Sequence, residues 1–140
     1  MPSDWKSRII RMTEHPAARA SKIDASFFPP ASKSLLAEVE RRSGFDIPPE
    51  FRDYLAVSDG LEAQRGEIWP ILPLSRWKWI DDLRAVPVPA FRFGESPRFR
   101  YLVFTDDSPT IHRHDIAGAE VEFFARNLTQ YLEKIFRGEG

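Results

Sequence analysis

Hydrophobic positions change their spacing several times along this chain, and the changes divide it into elements. Between Asp4 and Glu14, Trp5, Ile9 and Met12 recur at three and four residues, which places them on one face of a short helix with Asp4 as cap or first-turn acid. The stretch HPAARASKIDASFFPPAS reads as a connection broken by prolines, with Phe27 and Phe28 anchored on the core. A second helix is expected from Ser32, its N-cap, to just before Gly44. Leu35, Leu36 and Val39 share its apolar side, and Arg41 and Arg42 sit in the last turn, where cations suit the helix dipole.

The segment FDIPPEFRDYLAVSDGL is the most sharply punctuated in the chain. Pro48 and Pro49 suit a helix start, Glu50 adds charge that the N-terminus favours, and Phe51, Tyr54, Leu55 and Ser58 follow helical spacing up to the turn Asp59-Gly60. Beyond it the pattern shifts toward strands. GEIWPILPL predicts a short strand interrupted by Pro70, hence an edge or irregular one. SRWKWIDDLR predicts a short helix capped by Ser75, with Trp77, Ile80 and Arg84 as a stripe, and RAVPVPAFRFG an extended, proline-punctuated run. RFRYLVFTDD is the strongest strand, Asp106-Asp107-Ser108-Pro109 its turn, and TIHRHDIAG its hairpin partner. Glu120 to Arg137 predicts one amphipathic helix with Val121, Phe124, Leu128, Leu132, Ile135 and Phe136 as its stripe, closed by Gly138. The layout is α+β: an antiparallel sheet flanked by helices, with a C-terminal amphipathic helix.

Composition narrows the function classes. A chain of 140 residues with 42% hydrophobic residues fits one domain with a real core. A net charge of -1 gives no basic excess for nucleic acid, so direct nucleic-acid binding is not expected. With no cysteine there is neither a disulfide framework nor a thiolate site. No apolar run is long enough to span a bilayer, and MPSDWKSRIIRM is too polar for a secretory signal, so no membrane partner and a cytoplasmic location are expected.

Candidate chemistry is sparse. TDDSPTIHRHD crowds Asp106, Asp107, His112, His114 and Asp115 on one hairpin, and strand alternation points both histidines to one face, as a zinc or iron site would need. Turn aspartates and solvated histidines account for the same residues without a metal. There is no Gly-x-Ser-x-Gly elbow, phosphate loop or dinucleotide fingerprint, and the pairs Asp81-Asp82 and Asp106-Asp107 point apart. FRFGESPRFRY interleaves Arg92, Arg98 and Arg100 with Phe91, Phe93 and Phe99, and one of Trp77 and Trp79 is expected at the surface. Such aromatic and arginine side chains are the usual anchors of protein interfaces.

LLAEVERRSGFDIPPEFRDYLAVSDGL resembles the entry motif of the SUKH superfamily, in which a helix leads into a proline-started helix and an Asx-Gly turn. The matching residues are Leu36, Val39 and Glu40, then Ile47, Pro48, Pro49, Phe51, Tyr54 and Leu55, then Ser58, Asp59 and Gly60. IWPILPLSRW, YLVFTDD and AEVEFFARNLTQYLEKIF resemble later elements, so the likeness spans about Ser32 to Phe136. Residues 1–140 are then one SUKH-like domain, with 1–31 as an N-terminal addition and 32–137 as the family-like core.

The resemblance implies a non-enzymatic protein-binding module. Many members look like immunity proteins that neutralise toxin domains of polymorphic or contact-dependent systems, and fungal members look like cell-wall-synthesis regulators. The motif residues are structural there and no catalytic residue carries over. The expected partner is a cognate toxin domain and no cofactor is expected. Trp77, Trp79, Arg92, Arg98, Arg100, Asp106 and Asp107 are the candidate contacts. The near-neutral charge departs from the acidic balance of members that block basic nucleases. The alternatives are a small metal-dependent enzyme built on His112 and His114 and a housekeeping scaffold of the same fold.

Overall fold

The N-terminal apolar face forms as spaced. The computed structural model describes residues 4–20, 22–80, 89–105, 110–118 and 120–140. Helix α1 (Trp5–Thr13) buries Trp5 and Ile9. The Ala-rich part of the expected connection is instead a short helix, α2 (Pro16–Ala20), because Pro16 starts a run of good helix formers. The next residues form a two-residue strand, β1 (Ser26–Phe27).

Helix α3 (Lys33–Ser43) has the expected ends: the Ser32 hydroxyl accepts from Leu35 N at 3.1 Å, and Gly44 takes φ 79°. Helix α4 (Pro49–Leu55) starts on the proline pair and buries Phe51, Tyr54 and Leu55. It stops at Leu55, before the Asp59-Gly60 pair, so that pair shapes the exit and does not cap the helix.

Strands β2 (Leu61–Ala63) and β3 (Ile68–Ile71) follow. Of the two expectations for β3 the irregular strand holds and the edge does not: β3 lies between β2 and β5 (Ala90–Glu95), and its register with β2 shifts between Leu61 and Ala63. Its contact with β5 is a single register pair, Trp69 with Glu95, so one missing N–H is tolerated there. Over residues 75–80 the helix expected from Ser75 to Arg84 is not formed. A 3₁₀ turn, Leu74–Arg76, leads into β4 (Lys78–Ile80), whose alternation of charged and aromatic residues pairs with β5 from Arg92 to Ala90. Arg84, Asp81, Asp82 and the turn Asp106 to Pro109 lie outside the described residues.

Strands β6 (Phe99–Phe104) and β7 (Ile111–Asp115) form the expected hairpin. The single C-terminal helix divides into β8 (Val121–Ala125) and α5 (Leu128–Phe136). Asn127 separates them, its side chain accepting from Gln130 N at 2.8 Å as the cap of α5. Pairing with β7 overrides the helical spacing of Val121, Phe124 and Leu128.

Among the described residues the strands form one antiparallel sheet in the order β1-β2-β3-β5-β6-β7-β8, with β4 beside β5. One buried cluster joins Trp5 and Ile9 of α1, Leu36 of α3, Phe51 and Tyr54 of α4 and Tyr131 of α5 to Phe91, Phe93, Tyr101 and Val103 of the sheet. The helices therefore pack on one face. At the β8 margin the Lys134 ammonium of α5 donates to the carbonyl of Phe124 at 2.7 Å.

Candidate functional site

The punctuated segment from Pro48 to Gly60 is occupied with folding. Tyr54 Oη and Ser58 Oγ both donate to the carbonyl of Gly60 at 2.8 Å, and Ser58 Oγ accepts from Phe28 N at 2.9 Å. Burial pushes the Tyr54 hydroxyl far above its ordinary pKa. Asp59 accepts from Leu74 N at 2.7 Å, which ties the exit of α4 to the 3₁₀ turn. Gly60 takes φ 110°, and a Cβ there would lie 3.0 Å from Pro73 N. Glu40 accepts from Ile47 N at 2.7 Å and pairs with Arg52 at 3.1 Å. These groups are joints between α3, α4 and β3, and none is presented to a ligand.

The face of the sheet away from the helices is different. Strand alternation sends Phe91 and Phe93 of β5, and Phe99, Tyr101 and Val103 of β6, into the core. Arg92, Leu102, His112 and Phe123, opposed in register, form a row on the other face with Lys78 at its β4 end. A second row runs Trp69, Glu95, Arg100, His114 and Val121.

A bulge between Arg92 and Gly94 brings the two rows together. It inserts one residue into β5, so Arg92 and Glu95, three positions apart, both project outward. Gly94 lies at the bulge because nothing larger fits: a Cβ would stand 2.5 Å from Pro70 O and 2.9 Å from Tyr131 Oη. That hydroxyl donates to Pro70 O at 2.7 Å, and burial holds its pKa well above the usual tyrosine value.

Glu95 is the hub of a charged cluster. Arg76 Nη2 lies 3.0 Å from Glu95 Oε1, and Arg100 Nε lies 3.6 Å from Oε2. Arg76 also sits 5.5 Å above the Trp69 ring, which stacks on Phe28 at 5.7 Å. Arg92 shares the field of Arg76, Arg100 and Glu95. Its pKa is lowered, first by burial and then by Arg100, and among the described residues its buried Nε has no hydrogen-bond partner. Trp69, Arg76, Glu67, Glu95 and Arg100 line an open hollow of about 390 Å³. Further along the face Phe123 is 56% exposed, beside the ring of His112.

Of the expected contacts, Arg92 and Arg100 meet in this cluster. Arg98 does not join it, since it pairs with Asp115 at 3.3 Å and lies 4.9 Å over Phe99. Trp77 is a core residue: its indole donates to Leu72 O at 2.9 Å and its ring packs on Phe51, Phe91 and Phe93. Trp79 is the exposed tryptophan of the pair, but it stacks on Phe45 at 6.1 Å beside Phe91, on the helix side of the sheet. There it borders an apolar groove of about 350 Å³ with Leu35, Val39, Trp77 and Phe91. Asp106 and Asp107 lie outside the described residues.

Sequence reasoning missed Arg76, Trp69, Glu95 and Phe123 as members of the face. The alternation Phe91-Arg92-Phe93 and Phe99-Arg100-Tyr101 carried part of the signal. The bulge, which no spacing rule marks, carried the rest.

His112 and His114 do share a face. The His112 ring packs on Phe104 at 4.4 Å, and His114 stands opposite Arg100, a cation that disfavours a metal ion beside it. The carboxylate of Asp115 is committed to its own turn, accepting from Ala117 N at 2.9 Å and Gly118 N at 3.3 Å. Those bonds, first the one from Ala117, hold its pKa below the usual carboxylate value. Among the described residues no group of three or more histidines or carboxylates is placed to hold a metal ion. No helix among them is long and apolar enough to cross a membrane. The sequence matches no protein-family model and no curated protein.

Proposed function

We propose that this chain is a non-enzymatic protein-binding module with a SUKH-like fold, and that it acts as an immunity protein that binds and neutralises a toxin domain. The observation that carries the reading is the contrast between its two conspicuous regions. Within the stretch that resembles the family motif, Glu40, Tyr54, Ser58 and Asp59 are engaged in joining α3 to the entry of α4 and the exit of α4 to the turns that follow, which is what a structural motif requires. The anchors suited to binding a protein, Trp69, Arg76, Arg92, Arg100 and Phe123, lie on the sheet face turned away from the described helices, around a buried Leu102. Arginine and large aromatic side chains are the groups that most often dominate binding energy at protein interfaces.

The test is co-expression with the gene directly upstream, scored by growth and then by co-purification. The expected result is that the neighbour alone is toxic, that this chain restores growth, and that the two proteins purify as a stable complex. A harmless neighbour that does not bind would remove the immunity reading.

A further inference from the structure

We propose that the cluster of Arg76, Arg92 and Arg100 around Glu95 is a docking site for a carboxylate-rich segment of the partner protein, with Phe123, on β8 two strands beyond Arg100, as an apolar contact further along the same face. This rests on the protein-binding reading above and names the chemistry of the partner. The charge balance of the face is the first argument. Among the described residues, Arg76, Lys78, Arg92 and Arg100 stand against Glu62, Glu67 and Glu95, so the face carries a cationic surplus on a chain whose net charge is -1. The surface that fits it is acidic.

The second argument is the state of Arg92. Glu95 already serves Arg76 and Arg100, and each of its carboxylate oxygens faces one of them. Arg92 feels the two like charges of Arg100 and Arg76 against the single carboxylate of Glu95, and among the described residues its buried Nε has no hydrogen-bond partner. A partly desolvated guanidinium with a buried N–H unpaired among the described residues is costly in the free protein. A carboxylate arriving from outside would relieve that cost and accept the forked bond that arginine geometry favours.

The third argument is rigidity. Glu95 fixes Arg76 and Arg100, Trp69 and Phe28 hold Arg76 from beneath, and Arg100 also donates to Ser96 O at 3.2 Å. Little side-chain entropy remains to be lost when a ligand binds. The compact shape of the cluster and the low net charge favour an acidic protein segment over nucleic acid, whose backbone calls for an extended basic track.

The experiment titrates the full chain with poly-L-glutamate and, separately, with oligothymidylate. Nuclear magnetic resonance follows the indole of Trp69 and the amides of β5 and β6. Arg92→Glu/Arg100→Glu is compared with Lys33→Glu/Arg41→Glu, which makes the same charge change on the exposed side of α3. Circular dichroism confirms that both variants are folded. Poly-L-glutamate is expected to shift the cluster signals, to weaken by about tenfold or more in Arg92→Glu/Arg100→Glu, and to be little changed in the control. No binding, equal weakening in both variants, or stronger binding of oligothymidylate at the cluster overturns the proposal.

A second arm uses the product of the upstream gene. If it is neutralised equally well by Arg92→Glu/Arg100→Glu, the docking site is wrong and the immunity reading stands. If poly-L-glutamate binds at the cluster while the neighbour neither binds nor harms growth, the immunity reading falls and the carboxylate chemistry stands.

Discussion

Gly94→Ala is the substitution that most directly tests how the open face is built. The added Cβ would lie 2.5 Å from Pro70 O, 2.9 Å from Tyr131 Oη and 3.1 Å from Trp69 O. Two of these are backbone atoms of β3, and the third is fixed by its bond to Pro70 O. None is the free end of a flexible side chain, so the β3–β5 contact must open or Tyr131 must leave its site. Overpacking of this kind costs about 1–3 kcal/mol. Loss of the buried Tyr131 hydrogen bond, with both partners left in the core, adds about 1–3 kcal/mol.

The expected destabilisation is therefore about 2–6 kcal/mol, a large share of the roughly 5–15 kcal/mol typical of a domain. Urea unfolding followed by tryptophan fluorescence measures it, with Gly118→Ala as the control, because a Cβ there would meet only Asp115 Cγ at 3.9 Å. Tyr131→Phe in the Gly94→Ala background removes one of the three clashing atoms, so the double variant should lose less than the two single losses added together. A Gly94→Ala midpoint within error of the parent would refute the close approach and, with it, the bulge that aligns Arg92 with Glu95.

Three further outcomes follow from the same contacts. Tyr54→Ala should cost about 3–5 kcal/mol in thermal or urea melts, because it empties a fully buried aromatic site and removes a donor to Gly60 O; an unchanged melt would mean α4 is not seated on the core. All three tyrosines, Tyr54, Tyr101 and Tyr131, are buried with raised pKa values, so above the ordinary value of 10.0 the unfolded chain releases protons that the folded chain retains. Stability should fall as pH rises past that value, and tyrosinate absorbance should appear together with loss of the fold; ionisation near pH 10 with the fold intact would contradict this placement. Purified protein dialysed against zinc or iron(II) should carry no stoichiometric metal, and His112→Ala/His114→Ala should not change its content; metal lost on that substitution would favour the enzyme reading.

The parts of the fold that could be read in the sequence are those set by local chemistry. Ser32 and Gly44 bound α3, and the proline pair starts α4, because caps and ring constraints act within a few residues. The misplaced elements were decided by distant partners. Residues 121–125 are a strand because β7 offers them a ladder, although Val121, Phe124 and Leu128 keep helical spacing. Trp77 and Trp79 belong to the approach to a strand and the strand itself, and one is core while the other is at the margin, because β4 pairs with β5. The open face was half legible. Arg92 and Arg100 stood out by alternation, whereas Arg76 and Trp69 reach the same place through β3 and the 3₁₀ turn, which no local pattern connects.

The bond from Lys134 to the carbonyl of Phe124 has a consequence for how this protein meets others. A sheet invites growth at its outermost strands, where unpaired backbone groups can accept another chain. Here one margin, β1, is two residues long and is followed by Phe28 and the pair Pro29-Pro30. At the other, β8, an ammonium occupies a carbonyl that a visiting strand would use, and Gln130 takes the N–H of Arg126 at the strand's exit. Among the described residues these two margins are thus short or plugged, and β4, a third margin that pairs only with β5, is three residues long. Contacts through side chains on the broad surface of the sheet are thereby favoured over backbone pairing at these margins, and the route toward indiscriminate fibre-like stacking is narrowed by the same lysine.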